Sequence, residues 1–465
     1  MPKRITESQR KSILALLAKG QDRQTIAAST GVTVGQVSAL AAHVTMGTYG
    51  SLSQPTDGLV QTDKPHAMTT SNALAELRKL ESFTNHQTAE KLVPVGAEVE
   101  TGMPICWNPY PENGSANPHV LIIGESGFGK TYATACLIAE LTRQGLPSIV
   151  FDYGQGFTAE TTPRAFFQWT KPIEVRASQT GIAINPLQIF PSDQHGPLNV
   201  AQRIADTFAR VYSQIGVQQH AVLRQAVLDV LADQAISPEA PDTWEKPLPA
   251  FRAIEAKLAH YANTIGNSQR RLAASVAAHI STIFVFNTFR TNADFLDWLE
   301  IIGPGRPPYV VRLSGLEHSL ERVVTELLLW NMIGFIEAQG PGPLRCFVVL
   351  DEAHKLSFAA GSPVEKLLRE GRKFGIGVIL ASQQPEDFSS VAFANTATKL
   401  VFQVGDSSGT ISRQLHRKVR NASTVSEIED VITKLPRGHA YFVSENVGRI
   451  VRIETFEERE ARWRQ

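Results

Sequence analysis

Apolar residues recur every three or four positions in four consecutive segments, VAQRIADTFARVY, QQHAVLRQAVLDVLADQA, LPAFRAIEAKLAHYANTI and SQRRLAASVAAHISTIF. That period predicts amphipathic helices packed on one another, an all-α insertion over residues 195–300. On either side the pattern changes to short apolar runs bounded by turns: HVLII, PSIVFDYG, YVVRLSGL, CFVVLDEA, GIGVILASQQ and TKLVFQV, then a terminal GHAYFVSE…GRIVRIETF hairpin. Helices over 317–337 and 362–372 separate some of these runs. Short apolar strands alternating with helices predict an α/β domain, residues 91–194 and 301–465, with a mainly parallel sheet covered on both faces.

The first 48 residues have helical spacing of a different kind. Thr6 and Glu7 open a helix that Gly20 closes, and a second helix turns at Gly31 into a third that Thr33 precedes. Short helices joined by a Gly turn predict a helix-turn-helix. DNA contact and protein contact both remain open for it. If it reads DNA, Thr33, Gln36, Ser38 and His43 lie at or near the exposed face of the recognition helix, with Gln36 best suited to a base edge. Residues 49–90 read as a linker rich in Ser, Thr, Gly and Pro, with a short helix over 73–83.

Composition narrows the class. The 465 residues carry 45 Lys and Arg against 45 Asp and Glu, which excludes a bulk-basic coat on nucleic acid but leaves a local basic surface or pore open. Residues 1–50 hold six of the basic side chains against two acidic ones. No run approaches the ~18–20 apolar residues of a membrane helix, and MPKRITESQR lacks the apolar stretch of a signal peptide. Cys106, Cys136 and Cys346 are scattered and read as small buried hydrophobes, so a cytoplasmic location without a membrane is expected.

The chemistry is concentrated at two places. Gly124, Glu125, Ser126, Gly127, Phe128, Gly129, Lys130 and Thr131 fill the pattern G-x-x-x-x-G-K-[ST] between an apolar strand and a helix. The glycines let the backbone close around phosphate, Lys130 neutralises the β and γ oxygens, and Thr131 is placed to ligate Mg²⁺. Tyr132 follows as a further nucleotide-binding position. The second place is CFVVLDEAHKL, where Asp351 is suited to hold Mg²⁺ through water. Strand alternation points Glu352 to the other side, where it can polarise an attacking water. Gln383, at the C-terminal end of GIGVILASQQ, can sense the γ-phosphate. Asp152, towards the end of PSIVFDYG, and Gln155 just after it are site residues or an ordinary strand-end turn. Arg372, or alternatively Lys373, is the candidate for a positive charge lent to a neighbouring subunit; Arg369 stands nearby.

NPHVLIIGESGFGKT, INPLQIF, VVLDEAHKL, EGRKFGIGVILASQQPEDF and NTATKLVFQV, in this order over residues 93–455, resemble the successive motifs of the HerA/FtsK superfamily of ring ATPases, on the HerA side. The resemblance implies a RecA-like P-loop NTPase that uses ATP and Mg²⁺. It further implies a homo-hexamer pulling double-stranded DNA through its channel beside a nuclease of the NurA kind, or another effector in phage defence. Under it Glu352 is the water-activating acid and Gln383 the sensor amide, while Gln384 replaces a common Arg. The usual N-terminal β-barrel is missing from the pattern, with the helix-turn-helix in its place. A conjugative-transfer ATPase and an ATP-gated recruitment module are the alternatives.

Overall fold

The computed structural model describes residues 92–465 except 111–116, 265, 291–294, 384–387, 389, 407–408, 423 and 465, together with residues 13, 16, 23–33 and 37. Residues 1–70 and 71–465 are separate units. In the first, α1 (Arg23–Thr30) buries Ile26 and Ala27 with Ile13 and Val37. Gly31, at φ +69, ends it in the left-handed conformation, its N–H bonded to the Ala27 carbonyl. Thr33 is exposed. Most of the two flanking helices expected from the sequence, with Gln36, Ser38, His43, the linker and the helix over 73–83, lie outside the described residues.

The second unit is organised on one sheet. Its strands are β1 (Val93–Glu98), β2 (Pro104–Trp107), β3 (Val120–Ile123), β4 (Ser148–Asp152), β5 (Ile173–Arg176), β6 (Tyr309–Arg312), β7 (Cys346–Leu350), β8 (Ile376–Ser382), β9 (Thr398–Val401), β10 (His439–Ser444) and β11 (Val447–Ile453). They pair in the order β2-β1-β11-β10-β9-β3-β8-β7-β4-β6-β5. From β9 to β5 every pairing is parallel. The terminal hairpin β10–β11 then extends the sheet antiparallel, and β1 and β2 continue it. Its turn residues, Glu445 and Asn446, both take positive φ, the backbone of a tight two-residue hairpin turn. This is the RecA-like arrangement of a P-loop NTPase.

Alternating residues go to opposite faces and both faces are covered. Leu121, Phe151 and Val348 share one core, Val120, Val150 and Phe347 the other. The second face is covered by α2 (Lys130–Arg143). The first is covered by the helices of the interrupting stretch, α3 (Pro197–Val211), α4 (Val217–Ala232), α5 (Ala253–Thr264) and α6 (Asn267–Val285), and by α7 (His318–Ala338) and α8 (Pro363–Glu370). Because these helices share one continuous core with the strands, the helical stretch is welded to the sheet.

The helix α9 (Phe456–Trp463) is absent from the sequence reading. Its signal is short but present: Thr455 and Glu458 form a capping box, each side chain bonded to the other's backbone N–H. The fully buried Arg459 holds α9 down. Its guanidinium donates to Glu140 of α2 at 2.8 Å and to the carbonyls of Pro94, Val95 and Glu454. Among the described residues no helix is long and apolar enough to cross a membrane.

Candidate nucleotide site

The strand register brings several strand ends to one edge. Ile123 pairs with Ser382, Leu350 with Leu380, and Phe151 with Leu350, so β3, β8, β7 and β4 finish side by side. The carboxyl edge of a parallel sheet is where its loops can converge on a ligand. β8 lies between β3 and β7, so the loops bearing Lys130 and Asp351 flank the loop bearing Gln383.

The loop after β3 is an open backbone cradle. Gly124, Gly127 and Gly129 have φ of 155°, 86° and 112°, conformations that L side chains rarely adopt. A Cβ on Gly124 would lie 2.6 Å from the Cβ of Phe402, whereas Gly127 faces open space. Three bonds hold the loop from outside: Glu125 N–H to the Gln403 carbonyl, Gly405 N–H to Glu125 Oε1, and Gly438 N–H to the Phe128 carbonyl. Ser126 is exposed. Lys130 is buried, and its ammonium donates to the Glu125 carbonyl at 2.9 Å. Burial lowers its pKa, while Glu352, Asp351 and Glu125 pull the other way. Such a nest, ending at a helix N-terminus with one buried cation, fits a polyphosphate.

Facing it are three acids. Asp351 is buried at the end of β7 and pushed up to about 7, first by burial and then by Glu352 and Asp152, against the pull of Lys130. A Cβ on Gly156 would stand 2.9 Å from both Asp351 Oδ2 and the Thr131 methyl, so Gly156, Thr131 and Asp351 meet at one point. Asp152 caps its own loop, accepting from Gly156 and Phe157 N–H at 2.9 and 3.3 Å, and Gln155 is exposed at φ 62°.

Glu352 is not directed by strand alternation, as the sequence suggests. The chain leaves β7 at Leu350, and Glu352 takes a left-handed backbone, φ 57° and ψ 47°, before a short 3₁₀ turn. A non-glycine residue held there is strained, and such strain concentrates at functional sites. Its Oε1 accepts from Gln383 Nε2 at 2.7 Å. Its Oε2 pairs with His354 Nδ1 at 3.2 Å and, among the described residues, is a buried oxygen that accepts no hydrogen bond. His354 Nδ1 is also 3.3 Å from Ser382 Oγ. The sequence reading missed His354 and Gly156. Both were visible in their segments, His354 two residues after Glu352 and Gly156 in Gly-Gln-Gly, but neither had a partner until the strands were ordered.

Two further candidates are placed elsewhere. The Tyr132 hydroxyl accepts from Phe456 N–H at 2.7 Å and the two rings pack edge to face, so this side chain is directed to α9 rather than into the cradle. Arg372 lies in the turn before β8, at the opposite edge of the sheet and close to His119. Within one chain it does not meet the P-loop. Neither do its neighbours: Arg369 pairs with Glu365, and Lys373 lies over the Phe374 ring. Gln384 lies outside the described residues.

Residues 112–332 match the family model described as "Helicase HerA, central domain", a span that includes the cradle but ends before Asp351. Over that span the chain is similar to the central domain of HerA-type helicases. Among solved structures, the fold is similar to that of VirB4 of Thermoanaerobacter pseudethanolicus, with a TM-score of 0.62 at 18% identity over 78% of this chain and 96% of that one. It is also similar to the bacterial conjugative coupling protein TrwB in its unbound form, at 0.53 and 15% over 81% and 91%. The plasmid coupling protein TrwB in complex with ADP and Mg²⁺ aligns at 0.54 and 16% over 81% and 92%. No curated protein sequence matches the chain.

Proposed function

We propose that this chain is a Mg²⁺-dependent ATPase that assembles as a homo-hexamer and translocates double-stranded DNA through its central channel. The observation that carries the reading is the Glu352–Gln383 pair beside a complete phosphate cradle: a carboxylate with one oxygen held by an amide and the other, among the described residues, accepting no hydrogen bond suits deprotonating water. A pure nucleotide switch has no need of it. The bound MgATP supplies the transferable phosphoryl group and the metal charge. Lys130 exchanges the Glu125 carbonyl for phosphate oxygens, and Thr131 and Asp351 hold the metal. Glu352 takes the proton of the attacking water, and Gln383 orients that carboxylate. Arg372, on the far edge of the sheet, serves the site of the adjacent subunit rather than its own.

Residues 1–48, basic in balance, recruit a nuclease or another effector, or contact DNA, in DNA processing or anti-phage defence. A conjugative-transfer ATPase is the second reading, favoured by the fold shared with VirB4 and TrwB. One experiment separates them: ATP turnover is measured with duplex and with single-stranded DNA, beside the native mass with MgATP. A several-fold stimulation by duplex and a six-subunit mass are expected. A monomer under those conditions overturns the ring, and no response to duplex overturns translocation.

A further inference from the structure

The loop that leads into β10 seats a turn bearing Arg437 against the phosphate-binding loop. Pro436, Arg437, Gly438 and His439 form a tight turn, closed by His439 N–H to the Pro436 carbonyl at 3.1 Å, with Gly438 at φ +76 in its third position. Both backbone groups of Gly438 are engaged. Its N–H donates to the carbonyl of Phe128 inside the P-loop at 3.1 Å, and its carbonyl accepts from Ile453 N–H at 2.9 Å. The approach is close: a Cβ on Gly129 would lie 3.8 Å from the Gly438 Cα. Arg437 is therefore at the tip of a turn that is bonded, one residue later, to the phosphate-binding loop.

Its side chain is exposed and engages none of the described residues. That distinguishes it from the arginines of the adjoining β11 and α9, where Arg449 is near Glu98, Arg452 pairs with Glu458 and Arg462 with Glu454. A guanidinium carried on a turn bonded to the anion cradle, and with no carboxylate partner among the described residues, raises the positive potential where polyphosphate binds. It also offers paired donors that the single ammonium of Lys130 lacks.

We propose that Arg437 is a nucleotide-binding residue, donated by the same chain as the P-loop, whose guanidinium contacts the phosphates of the bound nucleoside triphosphate. The inference rests on reading the cradle as a triphosphate site, and its test separates the two. The full chain and its Arg437→Ala, Arg437→Lys and Lys130→Ala variants are titrated with a fluorescent ATP analogue in Mg²⁺, and their melting temperatures are recorded. Loss of a charge-assisted hydrogen bond predicts an affinity for Arg437→Ala weaker by about tenfold or more, with partial recovery in Arg437→Lys and an unchanged melting temperature. If the parent binds, Lys130→Ala does not, and Arg437→Ala stays within about twofold of the parent, the inference falls and the triphosphate site stands. An unchanged affinity with loss of stimulation by duplex DNA also overturns it, since the guanidinium then serves DNA. If the parent fails to bind, or Lys130→Ala binds equally well, the proposed function falls with it.

Discussion

Gln383 Nε2 donates to Glu352 Oε1 at 2.7 Å, joining the ends of two neighbouring strands, β8 and β7. The amide fixes one oxygen of a carboxylate whose other oxygen accepts no hydrogen bond among the described residues. Glu352→Gln is expected to retain ATP binding and lose hydrolysis. Gln383→Ala, which frees the carboxylate to rotate, is expected to lower kcat by about 10²-fold with little change in KM. Steady-state turnover and equilibrium nucleotide binding check both. Normal hydrolysis by Glu352→Gln would remove it from the chemistry.

Gly156 leaves no room for a side chain. Its Cβ would press on Asp351 Oδ2 and on the Thr131 methyl, each 2.9 Å away. Gly156→Ala should therefore displace the two proposed metal-holding side chains while the fold survives. The expected result is a rise in the Mg²⁺ concentration needed for half-maximal turnover, by about tenfold, with nucleotide binding in the absence of Mg²⁺ largely retained. A Mg²⁺ titration of activity, paired with binding in chelator, reads this directly.

Arg459 is a structural keystone remote from the chemistry. Replacing it with Met removes the buried guanidinium from Glu140 and takes one donor from each of the Pro94, Val95 and Glu454 carbonyls. A loss of about 3 kcal/mol is expected, toward the low end for breaking a buried pair, because Arg462 and Trp463 still donate to Glu140. Urea unfolding measures it. Since α9 also holds Tyr132, the variant should bind nucleotide more weakly at temperatures well below its melting point.

His119 makes stability depend on acid. It is almost wholly buried before β3, and Nδ1 accepts from Val378 N–H at 3.1 Å. Burial, then the nearby charge of Arg372, hold its pKa down at about 3 from the ordinary 6.5, with the Leu368 carbonyl opposing. Between those values the unfolded chain binds a proton that the folded chain refuses. Stability is thus complete above the ordinary pKa and falls with pH below it, by up to about 1.4 kcal/mol per unit. Denaturant midpoints from pH 7 to pH 5 should fall less steeply in His119→Asn. Parallel slopes for the two proteins would remove His119 as the cause.

What was legible in the sequence is what depends on contiguous residues. The strand, glycine-rich loop and helix of the cradle, the buried strand ending in Asp351, the alternation of strands and helices and the four-helix interruption all follow from local spacing and apolar period. The tertiary structure alone decided which strand ends meet. Gln383 reaches Glu352 because β8 is inserted between β3 and β7, a long-range pairing that sequence distance does not encode. Glu352 is aimed by a left-handed backbone that only the surrounding packing can hold. Tyr132 is drawn from the cradle to α9, Arg372 is carried to the far edge of the sheet, and Gly438 is seated on Phe128 from the opposite end of the domain. In each case the deciding force is non-local, through sheet register, burial and backbone hydrogen bonding between segments far apart in the chain.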